Sequence, residues 1–174
     1  MRFIQVTLAG ALCLFAAPAL AQSGAKPSDP QIAHIAYTAD EIDIKAAKQA
    51  LKISKNKDVR AFANDMVRDH TAVNKKALAL VKKLKVTPED NDTSRALSKQ
   101  AEDKMKSMES LKAADFDKAY VENEAAYHKT VNAALQDTLI PSANNQELKD
   151  LLSQGLKIFQ GHQQHAEQLA QNIK

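Results

Sequence analysis

The stretch NKDVRAFANDMVRDHTAVNKKALALVKKL, residues 56–84, decides how this chain is read. Val59, Phe62, Ala63, Met66, Val67, Val73, Leu80, Val81 and Leu84 recur at helical spacing. At 100° per residue they line one side of a single long helix. Asn56 stands where its side chain can accept the first free N–H groups, and the helix must end before Pro88. Upstream, Asp29-Pro30 opens another helix, with Asp29 as N-cap and Pro30 at the first helical position, where a missing N–H costs nothing. That helix should run to about Ser54. The Ser54-Lys55-Asn56 link is so short that the two helices must lie side by side and antiparallel.

Downstream, Val86 to Asp92 is polar and turn-like, and Ser94 to Met108 reads as a shorter, weakly apolar helix. A third long helix spans roughly Ala113 to Leu139 and stops before Pro141. Asn144 followed by Glu147 is a capping-box-like start for a fourth, which reaches the C-terminus. Two helical hairpins joined by a long, helix-containing connection between the second and third long helices define an all-α, ferritin-like four-helix bundle over residues 29–174. Few glycines and aromatics beside abundant Ala, Leu, Lys, Gln and Glu agree with that class.

Ahead of the bundle, residues 1–21 read as a secretory signal peptide. Arg2 supplies the positive end, Phe3 to Leu20 is apolar but too short to anchor in a bilayer, and Ala19-Leu20-Ala21 offers small residues for cleavage. Residues 22–28 form a flexible lead-in. The expected compartment is the periplasm. The one cysteine, Cys13, leaves with the leader, so disulfides, thiolate ligands and cysteine nucleophiles are excluded from the mature chain. Stability must come from packing. Both signs of charge are mixed along the chain, 24 Lys and Arg against 21 Asp and Glu, with no aromatic-interleaved basic stripe. Nucleic acid is therefore not an expected partner. No stretch after the leader is apolar enough to span a membrane.

The polar residues that fall on inward stripes carry the functional reading. His70 lies inside the apolar arc of the second helix; Asp117, Glu124 and His128 lie inside that of the third, set by Phe116, Tyr120, Val131 and Leu135. His162 joins Leu148, Leu152, Phe159, Ala166 and Leu169 on the fourth, and Asp43 sits mid-arc on the first. Glu41 and His34 point away. Every long helix thus aims Asp43, His70, Glu124, His128 or His162 at the core, and imidazole with carboxylate is a ligand set for iron, manganese, zinc or copper. Asp43 and His70 stand at similar heights from their shared link, at about 1.5 Å per residue. On the second hairpin, Glu124 matches His162 in height better than His128 does. Two readings stay open: a transition-metal site built from these five residues, or a metal-free hydrogen-bond network that fixes helix register in a structural or interaction module.

An enzyme is the weaker reading. The spacing Glu124-x-x-x-His128 is not the Glu-x-x-His of di-iron carboxylate proteins, and no nucleophile motif or phosphate loop occurs. A redox enzyme using one metal ranks behind both readings above. His162-Gln-Gln-His165 spaces two imidazoles at i, i+3 but is read as a solvated pair near the helix end. The Arg68, Lys75, Lys76, Lys82 and Lys83 face is read as solvated. Tyr37, Tyr120 and Tyr127 are read as boundary residues with a polar tip.

Phe62-Ala63-Asn64-Asp65-Met66-Val67-Arg68-Asp69-His70-Thr71-Ala72-Val73-Asn74 resembles the signature of the bacterial domain-of-unknown-function 4142 family. Phe116-Asp117-Lys118-Ala119-Tyr120-Val121 with a downstream His128, and Leu156 through Phe159 to His162 and Ala166, resemble its later segments. The resemblance implies a secreted, ferritin-like bundle in which His70, His128 and His162 match the family's histidines. Asp43 stands where the family usually has Glu, one methylene longer, and Lys157 replaces a usual Pro. The likeness promises no activity. Family members are often labelled outer membrane proteins, yet long amphipathic helices are not barrel strands. The expectation is a protein soluble in the periplasm, with peripheral envelope contact or self-association as further options.

Overall fold

The structure, a computed structural model, describes residues 26–173, so the leader and most of the lead-in lie outside the described residues. The described chain is helical, with no strand: α1 (Asp29–Ile53), α2 (Lys57–Leu84), α3 (Asp92–Met108), α4 (Ala113–Ala134), a π-helical turn (Leu135–Leu139), α5 (Ile140–Ser142) and α6 (Gln146–Asn172). The long helices are α1, α2, α4 and α6. α1 packs along α2 and α4 along α6, while α2 meets α6 and α1 meets α4. The connection from α2 to α4 carries α3, which lies against α1. Asn56 caps α2 as its position suggested, accepting from the Asp58 and Val59 N–H groups.

Three helix ends differ from expectation. Ser28, not Asp29, caps α1, in a reciprocal pair with Gln31. The Asp29 carboxylate instead reaches across the molecule and accepts from the Asn144 and Asn145 N–H groups at 2.7 and 2.9 Å. Asn145 then caps α6, one residue later than expected, by accepting from the Leu148 N–H. Glu147 is free to pair with Lys83.

Pro141 does not stop the third long helix. The chain widens into the π-helical turn, the Ile140 N–H bonds to the Leu135 carbonyl, and helical geometry continues through Pro141 to Ser142. The wider turn makes room for a ring that would otherwise clash with the carbonyl four residues back.

Two apolar clusters fill the bundle. One, near the α1–α2 link, holds Ala47, Val59, Phe62, Met66, Phe116, Tyr120 and Ala166, all essentially sealed from solvent. The other holds Ile32, Ile35, Leu135, Leu139, Leu148, Leu152 and Phe159. On each long helix the stretch between the two clusters carries the polar residues: Asp40 and Asp43, His70, Glu124 and His128, and His162. Four stripes break at one level.

Asp29 ties the start of α1 to the start of α6 with a charged acceptor. Asp29→Ala strands two N–H groups and is expected to cost about 1–3 kcal/mol in urea unfolding, more than Ser28→Ala at about 1 kcal/mol. Equal losses for the two variants would show that the cross-tie contributes nothing beyond a cap.

Candidate functional site

α2 is amphipathic, and the residue one turn beyond Met66 on its buried face is His70. His70 is fully buried; its Nδ1 donates to Asp40 Oδ1 at 2.7 Å, and its Nε2 stands 3.5 Å from Asp43 Oδ2. Its ring stacks on Phe159, with centroids 4.7 Å apart and planes 10° from parallel. On α4, His128 Nδ1 donates to the Glu124 carbonyl at 3.0 Å, with the Glu124 carboxylate 3.7 Å away. A carbonyl can only accept, so Nδ1 carries the proton and Nε2 keeps its lone pair. On α6, His162 Nε2 donates to Asp69 Oδ2 at 3.1 Å, and Asp69 is itself gripped by Arg68.

The three rings form a triangle, with centroid separations of 5.6 Å (His70–His128), 5.2 Å (His70–His162) and 5.4 Å (His128–His162). One ring nitrogen from each lies within 4.8 Å of the others. A second group, Asp43, Glu124 and His128, meets the same limit, so His128 belongs to both. Among the described residues of this layer, His70 Nε2, His128 Nε2, His162 Nδ1, Asp43 Oδ1 and Glu124 Oε2 have no hydrogen-bond partner; outside it, His34 Nδ1 is likewise unpartnered. Buried polar atoms are rarely left unpaired. Each ring therefore has one nitrogen anchored by an oxygen and the other unengaged, the arrangement that orients an imidazole for a metal. The donor set of nitrogens and carboxylate oxygens, without thiolate, suits iron, manganese, zinc or copper.

Burial governs the electrostatics. It pushes Glu124 up to about 7, and it raises Asp43 well above the usual carboxylate range, with the Glu124 charge adding to that rise. Two buried carboxylates this close compete for one proton. Asp40 is also raised by burial, with the His70 hydrogen bond pulling the other way. His128 is pushed down to about 3 by burial and by the neighbouring imidazoles, and His162 is lowered for the same reasons. Asp69, held by Arg68, is lowered.

The five residues singled out in the sequence, Asp43, His70, Glu124, His128 and His162, all lie buried in this one layer. The height match is the reverse of the expected one: His162 meets His128. A helical side chain leans toward its own N-terminus. His128 sits nearer the α4–α6 turn and leans away from it; His162 sits farther and leans toward it, so the two converge. Asp117 is buried but stays outside both groups. His165 is exposed, edge-on to Phe62 at 5.1 Å, and takes no part. Glu41 is half-buried and accepts from Asn74. Tyr120 is a core residue, not a boundary one: it is fully sealed, stacked on Phe116, with its hydroxyl unpartnered.

Asp40 and Asp69 were not singled out. Asp40 shares the inward face of α1 with Asp43, three residues away, so an i, i+3 carboxylate pair was there to be read. Asp69 precedes His70 in the quoted signature but serves His162, a partner that only tertiary packing supplies.

The molecule is thus an all-helical protein whose long helices close on a buried layer of histidines and carboxylates. The chain belongs to the DUF4142 family, a domain of unknown function, whose family model matches residues 15–169. No curated protein and no solved structure matches it.

With Glu124 raised from 4.5 to about 7, the folded protein holds a proton between those values that the unfolded chain has released. This contribution to stability is full below 4.5 and lost as pH rises through 7. His128, lowered from 6.5 to about 3, acts oppositely: stability rises with pH across that interval. In chelator, Glu124→Gln should remove the first effect and leave that of His128 in place. Its Tm advantage over wild type should widen from pH 4.5 to 7 and then level off. A difference that stays flat with pH would refute the raised carboxyl.

Proposed function

We propose that the protein is a periplasmic, ferritin-like four-helix bundle that holds a transition-metal ion in its histidine–carboxylate layer, serving metal storage, buffering or protection against envelope stress. The observation that carries this reading is the set of three buried imidazoles, each with one nitrogen anchored by an oxygen and the other without a partner. His70, His128 and His162 would hold the ion, with Asp43 and Glu124 as oxygen ligands or as acceptors that balance its charge. Such an ion would act as a bound charge and a cross-link between α2, α4 and α6. The Arg68–Asp69–His162 and Asp40–His70 chains keep two of the rings in place whether or not metal is bound.

The two antiparallel hairpins and the α3-bearing crossover support the ferritin-like assignment, and the Met1–Ala21 leader supports export. No helix among the described residues is long and apolar enough to cross a membrane. A second reading, a metal-free structural module, draws on the raised carboxyls of Asp43 and Glu124, which suit a proton-sharing pair in place of two anionic ligands.

The protein purified from periplasm should carry about one metal per chain by elemental mass spectrometry. Metal at a hundred times its Kd stabilises a fold by about 2.7 kcal/mol, so chelation should lower Tm visibly. His70→Ala should abolish metal while the helical circular dichroism survives. A metal-free protein whose Tm ignores both chelator and added iron, manganese, zinc and copper would leave the metal-free module standing.

A further inference from the structure

Among the described residues, nothing closes the end of the bundle remote from the α1–α2 link. A cleft of about 830 Å³ runs between the helices there, within the roughly 300–1,000 Å³ typical of small-molecule sites. Its walls are largely apolar, with Ile35, Val73, Leu80, Val131, Leu139 and Phe159 contributed by all four long helices and the π-helical turn. Small residues face it from three helices: Ala36, Ala77 and Ala134. Val73, Ala77, Leu80 and Val131 stay half-exposed although they point between helices. At the other end Phe62, Met66, Phe116 and Tyr120 are wholly sealed. Protein interiors pack to crystal density, and apolar walls facing an unfilled space forgo their contacts.

The cleft is long, with Lys26, Gln31, Asn91 and Asp92 at its outer mouth and Asp40 at its inner end. It follows α1 from Gln31 to Asp40, about 14 Å at 1.5 Å per residue. At the inner end stands Asp40, whose Oδ1 accepts from His70, leaving its second oxygen available as an acceptor there. Phe159 is the shared wall, with the cleft on one side and the His70 ring stacked on the other. A carboxylate at that end favours a hydrogen-bond donor and repels an anion.

We propose that this cleft binds a neutral, elongated amphiphile, an aliphatic chain ending in a hydroxyl, with the chain between the hairpins and the hydroxyl donating to Asp40. The site does not depend on metal: its walls and its acceptor lie beside the histidine triangle.

The test uses the purified protein in chelator, with the fluorescent neutral amine N-phenylnaphthylamine as probe. The probe should bind saturably, one per chain. Dodecanol should displace it about tenfold more effectively than dodecanoate. Ala77→Phe and Ala134→Phe, tested singly, should each weaken probe binding about tenfold while Tm holds or rises, because the new ring fills existing space. The proposal is overturned by absence of saturable binding, by binding unchanged in both variants, or by equal competition from dodecanoate. A lower Tm in both variants would overturn it too, since over-packing means the space is not there.

Discussion

Everything in this molecule is arranged around the cost of burying ionisable groups. Three imidazoles and three carboxylates are taken out of water at one level of the bundle, Asp40, Asp43 and Glu124 beside His70, His128 and His162. Burial of charge is tolerable only where each group is neutral, paired or bound to an ion. Within the layer His128 is held neutral, Asp43 and Glu124 are raised toward sharing a proton, and His70 is set against Asp40. These pairings work only if the helices are aligned to within a fraction of a turn. The polar layer therefore sets the register, and the apolar clusters on either side supply the favourable energy for holding it.

Register also explains features at a distance. A one-turn slip of α6 against α2 would pull His162 from Asp69 and leave its ring without that acceptor. The tie from Asp29 to the start of α6 and the π-helical turn before Pro141 both act on the same hairpin, fixing where α6 begins relative to α1 and α4. Arg68 extends the alignment outward. It is exposed, yet it fixes the Asp69 carboxylate that holds the His162 ring.

The helices were legible because their information is local. Apolar spacing marks the buried face of α2, Asn56 marks its start, and inward position alone picked out Asp43, His70, Glu124, His128 and His162. What stayed hidden was tertiary. Nothing local pairs Asp69 with His162, which α6 brings to it. Tyr120 carries a hydroxyl and so resembled a boundary residue, yet it is sealed between Phe62 and Phe116. Pro141 is a helix breaker by local rule, but a π-helical turn absorbs it. The His128–His162 meeting depended on opposite side-chain lean in antiparallel helices, which residue counting omits.

The two ends flanking the polar layer are unequal, and that inequality bears on function. Without a disulfide among the described residues, stability rests on packing, and the large, fully sealed side chains Phe62, Met66, Phe116 and Tyr120 gather at the α1–α2 link end. A bundle anchored there can leave its other end open. Small residues and half-exposed aliphatics at that end give up contacts that larger side chains would have made. Such an arrangement loses stability unless something occupies the space, because an unfilled apolar cleft gains nothing from its own walls. Phe159 stands on the boundary, closing the cleft on one face and supporting the His70 ring on the other. A molecule filling the cleft would touch the ring on which His70 stacks, so the open end and the polar layer share a wall.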